Sequence, residues 1–178
     1  MEFILAQVLG FIALILVCIG YFLKDRFKFL LIQVIANFFY ACAFLVVEAY
    51  VGGIIIFISL IRCLYIYIAE KYSFKYIYHF LPIFIILYII TTILLWSSWL
   101  DLMPLFASSI FTVGFAIKNL QKGKFVLIIP NVILVIYNIF TTTYTSALLD
   151  FIEVVVIVIA IIKFYIDKKK NKEKIEVV

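Results

Sequence analysis

The chain has 178 residues, is 68% hydrophobic and carries a net charge of +5, with a mean hydropathy of +1.28. A soluble domain of this length cannot bury that much apolar surface, so the composition points to an integral membrane bundle with no room for a separate soluble domain. The positive charge does not mark a nucleic-acid binder, because the cations flank apolar segments and read as topology signals and contacts to anionic lipid.

A bilayer core takes about 20 apolar residues per helix. In chain order, that length fits seven segments: Phe3–Leu23, Phe29–Val47, Val51–Ala69, Tyr76–Leu95, Asp101–Ile117, Phe125–Thr142 and Ser146–Ile166. The first is read as a retained helix rather than a secretory signal. Glu2 stands where a basic region is expected, and no small-x-small cleavage site follows. The fourth has few polar residues and is read as a peripheral linker, with His79 as an interfacial anchor near its start. The tail from Asp167 onward is charged and is expected to be solvated, as a frayed helix end.

Fourteen of the fifteen Lys and Arg residues cluster at or just beyond the ends of segments one, three, five and seven; the other connections carry none. The positive-inside rule then gives an outside N-terminus and a cytoplasmic C-terminus, with Trp96 and Trp99 in an outer aromatic belt. The fifteenth cation, Arg62, lies inside segment three. An arginine in hydrocarbon costs ~3 kcal/mol or more unless it finds a partner or water, so Arg62 requires a reason.

A shift of 94 residues lays segments one to three on segments five to seven without a gap. Gly20 falls on Gly114, Lys24 on Lys118, Lys28 on Lys122, Asn37 on Asn131 and Tyr50 on Tyr144. With one helix between them, the two triplets have the same orientation, which is a parallel repeat about an axis along the membrane normal. The expected fold is therefore an all-α, seven-helix membrane protein. Residues 1–70 form a first three-helix repeat, 71–99 a linker helix, 100–166 a second repeat and 167–178 a cytoplasmic tail.

Polar stripes indicate a shared interior. Gln33, Asn37, Tyr40, Phe44 and Glu48 keep to one helical face of segment two. Leu127, Asn131, Leu134, Asn138 and Thr142 do so in segment six. Gln7, Gly10, Leu14 and Cys18 match Asp101, Pro104, Ser108 and Thr112 in the other two. Polar groups turn away from lipid, because an unsatisfied one is costly there. Pro104, its counterpart Gly10, and Pro130 are candidate hinges, since proline kinks a helix.

Glu153, one turn from the position equivalent to Arg62, is the obvious counter-charge. The two are expected to face each other, as an ion pair or as the two ends of a solute site, with Asn37, Asn131 and Asn138 as further substrate-binding candidates. Asp150 is expected near the outer end, in solvent. Cys18, Cys42 and Cys63 lack metal-type spacing and read as packing residues. There is no HExxH, no Gly-rich phosphate loop and no Ser/His/Asp set, so no catalytic residue, metal or cofactor is expected. The expected partners are the lipid bilayer and a small polar or anionic solute. Nucleic acid is not expected, and homo-oligomerisation stays open.

At these residues the chain resembles the YgjV family of bacterial inner-membrane proteins. The carriers are Ser59–Leu60–Ile61–Arg62, Pro104, Val135–Ile136–Tyr137–Asn138, Ile152–Glu153 and Lys163. The resemblance implies a SWEET-like, PQ-loop-like helical arrangement in an inner membrane, but no substrate. The Pro-Gln pair of SWEETs has become Pro130–Asn131 in the second half and Ala36–Asn37 in the first, a departure from sugar transporters. Two functions remain in view. One is a transporter or facilitator working by alternating access between the triplets. The other is a non-transporting assembly factor or partner modulator with a structural Arg–Glu pair.

Overall fold

The computed structural model describes residues 2–46, 50–72 and 80–176. It is all-helical there, with seven α-helices: α1 (Glu2–Phe22), α2 (Arg26–Val46), α3 (Tyr50–Lys71), α4 (Leu81–Leu94), α5 (Leu102–Ala116), α6 (Leu120–Phe140) and α7 (Tyr144–Glu176). A 3-10 turn, Trp99–Asp101, leads into α5. Five of the helices are long and apolar enough to cross a membrane, namely α1, α2, α3, α6 and α5 with its preceding turn. The fourth helix has 14 residues, and α7 carries Asp150 and Glu153 in its first third. Glu48 and His79 lie outside the described residues.

The helix ends have local causes. Asp25 Oδ1 accepts from the Phe27 amide at 2.8 Å, and Asn119 Oδ1 accepts from the Gln121 and Lys122 amides at 3.1 Å. Such side chains satisfy the orphan donors of a first turn. They start α2 and α6 three to five residues before the apolar runs begin. Asp101 Oδ2 gathers the amides of Ser97 and Ser98 at 2.8 Å, which fixes the entry to α5. The helix α7 continues past Asp167 to Glu176.

Each helix packs most extensively on its neighbour in sequence within 2–71 and within 102–176, and the two sets meet where α1 lies against α7 and α3 against α5. α4 packs outside this ring, on α5 and α3. Its Tyr88 exchanges a 2.8 Å hydrogen bond with Ser59 of α3. The core runs through the middle of the ring, from Val17 and Tyr21 through Phe29, Cys63 and Phe115 to Leu127 and Ile157. α5 and α6 approach so closely that a Cβ on Gly123 would come within 2.9 Å of the Gly114 carbonyl oxygen. The bundle's outer face is rich in exposed Ile, Leu, Phe and Val, as a lipid-facing surface is.

Candidate functional site

Two polar seams hold the halves of the ring together. In the first, Arg62 of α3 reaches across to α5. It is 3% exposed. Nη1 donates to Thr112 Oγ1 at 3.2 Å and points at the Ser108 carbonyl at 3.4 Å. Nη2 lies 3.7 Å from Cys63 Sγ, and the guanidinium covers the Phe115 ring at 5.1 Å. Thr112 donates in turn to the Ser108 carbonyl at 2.8 Å. Arg62 Nε has no hydrogen-bond partner. Asn37 joins this seam through Cys63, 3.8 Å from its Nδ2, while the same nitrogen donates to the Gln33 carbonyl at 2.7 Å. Gln33 Nε2 is buried without a partner.

The second seam joins α1 to α7. The Glu153 carboxylate lies near the Tyr21 and Tyr40 hydroxyls, without a direct hydrogen bond to either. Tyr21 is 1% exposed and lies near Asn131. Asn131 Nδ2 donates to the Leu127 carbonyl at 2.8 Å. One turn before Glu153, Asp150 Oδ2 accepts from Asn138 Nδ2 at 2.7 Å, and Asn138 Oδ1 accepts from Thr143 at 2.8 Å. Asp150 is therefore half-buried and bonded, not in open solvent as the sequence led us to expect.

Arg62 and Glu153 do not pair. The ion pairs among the described residues are Lys24–Asp167 at 2.9 Å and Arg26–Glu70 at 2.6 Å. The physical reason is helix placement: α3 packs on α5, whereas α7 packs on α1, so the two charges enter different seams. Of the five substrate-binding candidates, Arg62 and Asn37 share one seam and Glu153, Asn131 and Asn138 share the other.

The hinge candidates differ from one another. Pro130 lies inside α6, 0–2% exposed, where a missing N–H costs an intrahelical bond. Pro104 stands in the first turn of α5, where its nitrogen has little or no intrahelical bond to lose. That position gives no mid-helix kink. Gly10 lies within the unbroken α1, with nothing within 4 Å of where a Cβ would be.

Sequence reasoning missed two cations. Lys124 was counted as a loop residue, yet it is 2% exposed; its Nζ donates to the Leu23 carbonyl at 3.0 Å. Arg26 binds Glu70, the Phe115 carbonyl at 2.7 Å and the Ile117 carbonyl. The readable signal was the Asp25 and Asn119 caps, which draw both cations into their helices. Two cavities are described, one of about 250 Å³ beside Lys24, Lys124 and Lys163, the other an apolar groove of about 390 Å³ between α6 and α7. Neither is lined by Arg62 or Glu153.

No curated protein and no solved structure matches the chain. The family model Imp-YgjV, described as bacterial inner membrane protein, matches residues 4–168. That match spans all seven helices, and with it the chain belongs to the Imp-YgjV family of bacterial inner membrane proteins.

Proposed function

We propose that the chain is a transporter or facilitator of a small polar solute bearing an acidic group. The solute would pass between two three-helix repeats that rock about the seams. The observation that carries this reading is Arg62: a cation 3% exposed, at a seam between the halves, with no carboxylate partner among the described residues and an unpartnered Nε. A buried, unneutralised guanidinium is costly. A carboxylate or phosphate is the ligand its planar fork fits. The opposite seam offers Asp150 and Glu153 as a route for a coupling proton or for the cationic end of a zwitterion. The role is binding and passage, not chemistry.

The repeat reading draws on several independent coincidences at the shift of 94 residues. α2 and α6 begin and end at equivalent residues, as do the ends of α1 and α5 and the starts of α3 and α7. The caps Asp25 and Asn119 are equivalent, and so are the back-bonding asparagines Asn37 and Asn131. The α1–α7 contact is the counterpart of the α5–α3 contact. At one end, the equivalent carbonyls of Leu23 and Ile117 are each held by a cation from the other half, Lys124 and Arg26. We read that basic end as cytoplasmic, with all seven helices crossing the membrane and the N-terminus outside.

The test is exchange of labelled small carboxylates and phosphate esters by protein reconstituted into liposomes. Transport of a member of this panel, slowed roughly 10- to 100-fold in Arg62→Gln, is the expected result; transport at the parent rate in that variant contradicts it. A non-transporting role is favoured by one observation, the engagement of Arg62 by Thr112, Ser108 and Phe115 in a seam away from both described cavities. It predicts no exchange for any solute and a clear loss of stability in Arg62→Gln.

A further inference from the structure

The basic end holds a second set of unneutralised donors, separate from both seams. A cavity of about 250 Å³ opens there between α1, α6 and α7, lined by Lys24, Lys124 and Lys163 with Gln121, Asp167 and Phe22. Lys24 is already paired with Asp167 at 2.9 Å. Lys124 and Lys163 form no direct ion pair among the described residues, although Asp167, one turn along α7, feels the Lys163 charge. Lys124 is 2% exposed and uses one of its three donors on the Leu23 carbonyl. Lys163 hangs over the Phe22 ring, 5.7 Å from its centroid. Gln121 Oε1 is buried with no donor.

We infer that this cavity is a binding site for a phosphoryl anion that also carries a hydroxyl, the chemistry of an anionic phospholipid headgroup such as phosphoglycerol. Lys124, with two donors to spare, and Lys163 supply charge-assisted donors to phosphate oxygens. The bare Gln121 acceptor takes the hydroxyl. A choline headgroup lacks that donor and sets its own cation against Lys124 and Lys163. The volume falls below the ~300–1,000 Å³ of drug-sized sites, which suits a headgroup whose acyl chains stay outside. Basic pockets between helices at the cytoplasmic ends of membrane spans are where anionic headgroups settle. A free phosphate ester shares the same chemistry.

The test is native mass spectrometry of the full chain in detergent, titrated with phosphatidylglycerol and, separately, phosphatidylcholine. The expected result is retention of phosphatidylglycerol about tenfold tighter than phosphatidylcholine. Lys163→Gln and Lys124→Gln should each weaken it by about tenfold, and Lys118→Gln, at the same end but outside the cavity, should leave it unchanged. Should Lys124→Gln fail to fold, Lys163→Gln, at an exposed position, carries the comparison. Equal retention of the two lipids, or equal weakening by Lys163→Gln and Lys118→Gln, overturns the site in favour of diffuse surface charge. Competition with inorganic phosphate separates the sources. Displacement at millimolar concentration assigns the site to a free phosphate, and persistence of the lipid assigns it to the headgroup.

Discussion

The α3–α5 seam and the α1–α7 seam are two places where the helices of 2–71 meet those of 102–176, and their chemistry is opposite. The first holds Arg62 against hydroxyl, carbonyl, thiol and aromatic groups. The second holds Asp150 against an asparagine amide and places Glu153 near two tyrosine hydroxyls. Val156 occupies the position equivalent to Arg62, and Ser59 the position equivalent to Glu153. Placing both charges in one seam would have produced a locked ion pair. Keeping them apart leaves each seam solvating its own charge with neutral dipoles, at a cost in stability, and leaves both charges available to something else.

The sharpest way to break this comparison is at Arg62. Arg62→Gln should reduce exchange of the transported solute by roughly 10- to 100-fold, the value of charge-assisted hydrogen bonds worth ~1.5–3 kcal/mol. Its melting temperature should hold or rise, because an unneutralised buried charge is removed. Melting curves alongside exchange rates check both halves, and a drop in both would identify Arg62 as a structural lock.

At the basic end the two cations that cross between the helix sets are also unequal. Arg26 makes three interactions across and along the ring, whereas Lys124 makes one. Arg26→Gln should therefore cost about 2 kcal/mol, leaving half-buried Glu70 unpaired, and Lys124→Met much less. Equilibrium unfolding in mixed micelles measures the difference, and equal losses would remove the asymmetry.

Glu153→Gln keeps the shape and an acceptor for the tyrosines. It should leave stability unchanged, slow solute exchange only a few-fold and abolish accumulation driven by a proton gradient. Accumulation at the parent level would take Glu153 out of the coupling path. The smallest effect belongs to Asp167, whose carboxyl is held below its usual range by the Lys24 hydrogen bond. A depressed carboxylate contributes its stability above its unfolded pKa, ~3.9, and loses it as pH falls through the lower folded value. Asp167→Asn should thus barely move the melting temperature at neutral pH and remove only an acid-side dependence, since exposed pairs contribute little.

Much of the fold could be read from periodicity and charge. Segment order and the four basic clusters are local features, and the sequence carries them directly. The Arg62–Glu153 pairing failed because sequence offset gives depth along a helix but not which helix lies opposite. Packing decides that, and packing put α3 on α5. Lys124 was misread because the apolar run begins at Phe125, while the Asn119 cap starts the helix at Leu120. Pro104 was misread as a kink for a different reason: segment five, read from Asp101, already put it in the first turn, where proline has no intrahelical bond to break.

The most direct measurement is the accessibility of Cys63, fully buried beside Arg62, to a membrane-impermeant thiol reagent. It is applied to each side of sealed vesicles holding the Cys18→Ser, Cys42→Ser protein. Rocking of the two halves predicts labelling from both sides, slowed by the transported solute. Cys63 that stays unlabelled from either side in the folded protein, and reacts only after denaturation, would contradict a pathway through the Arg62 seam.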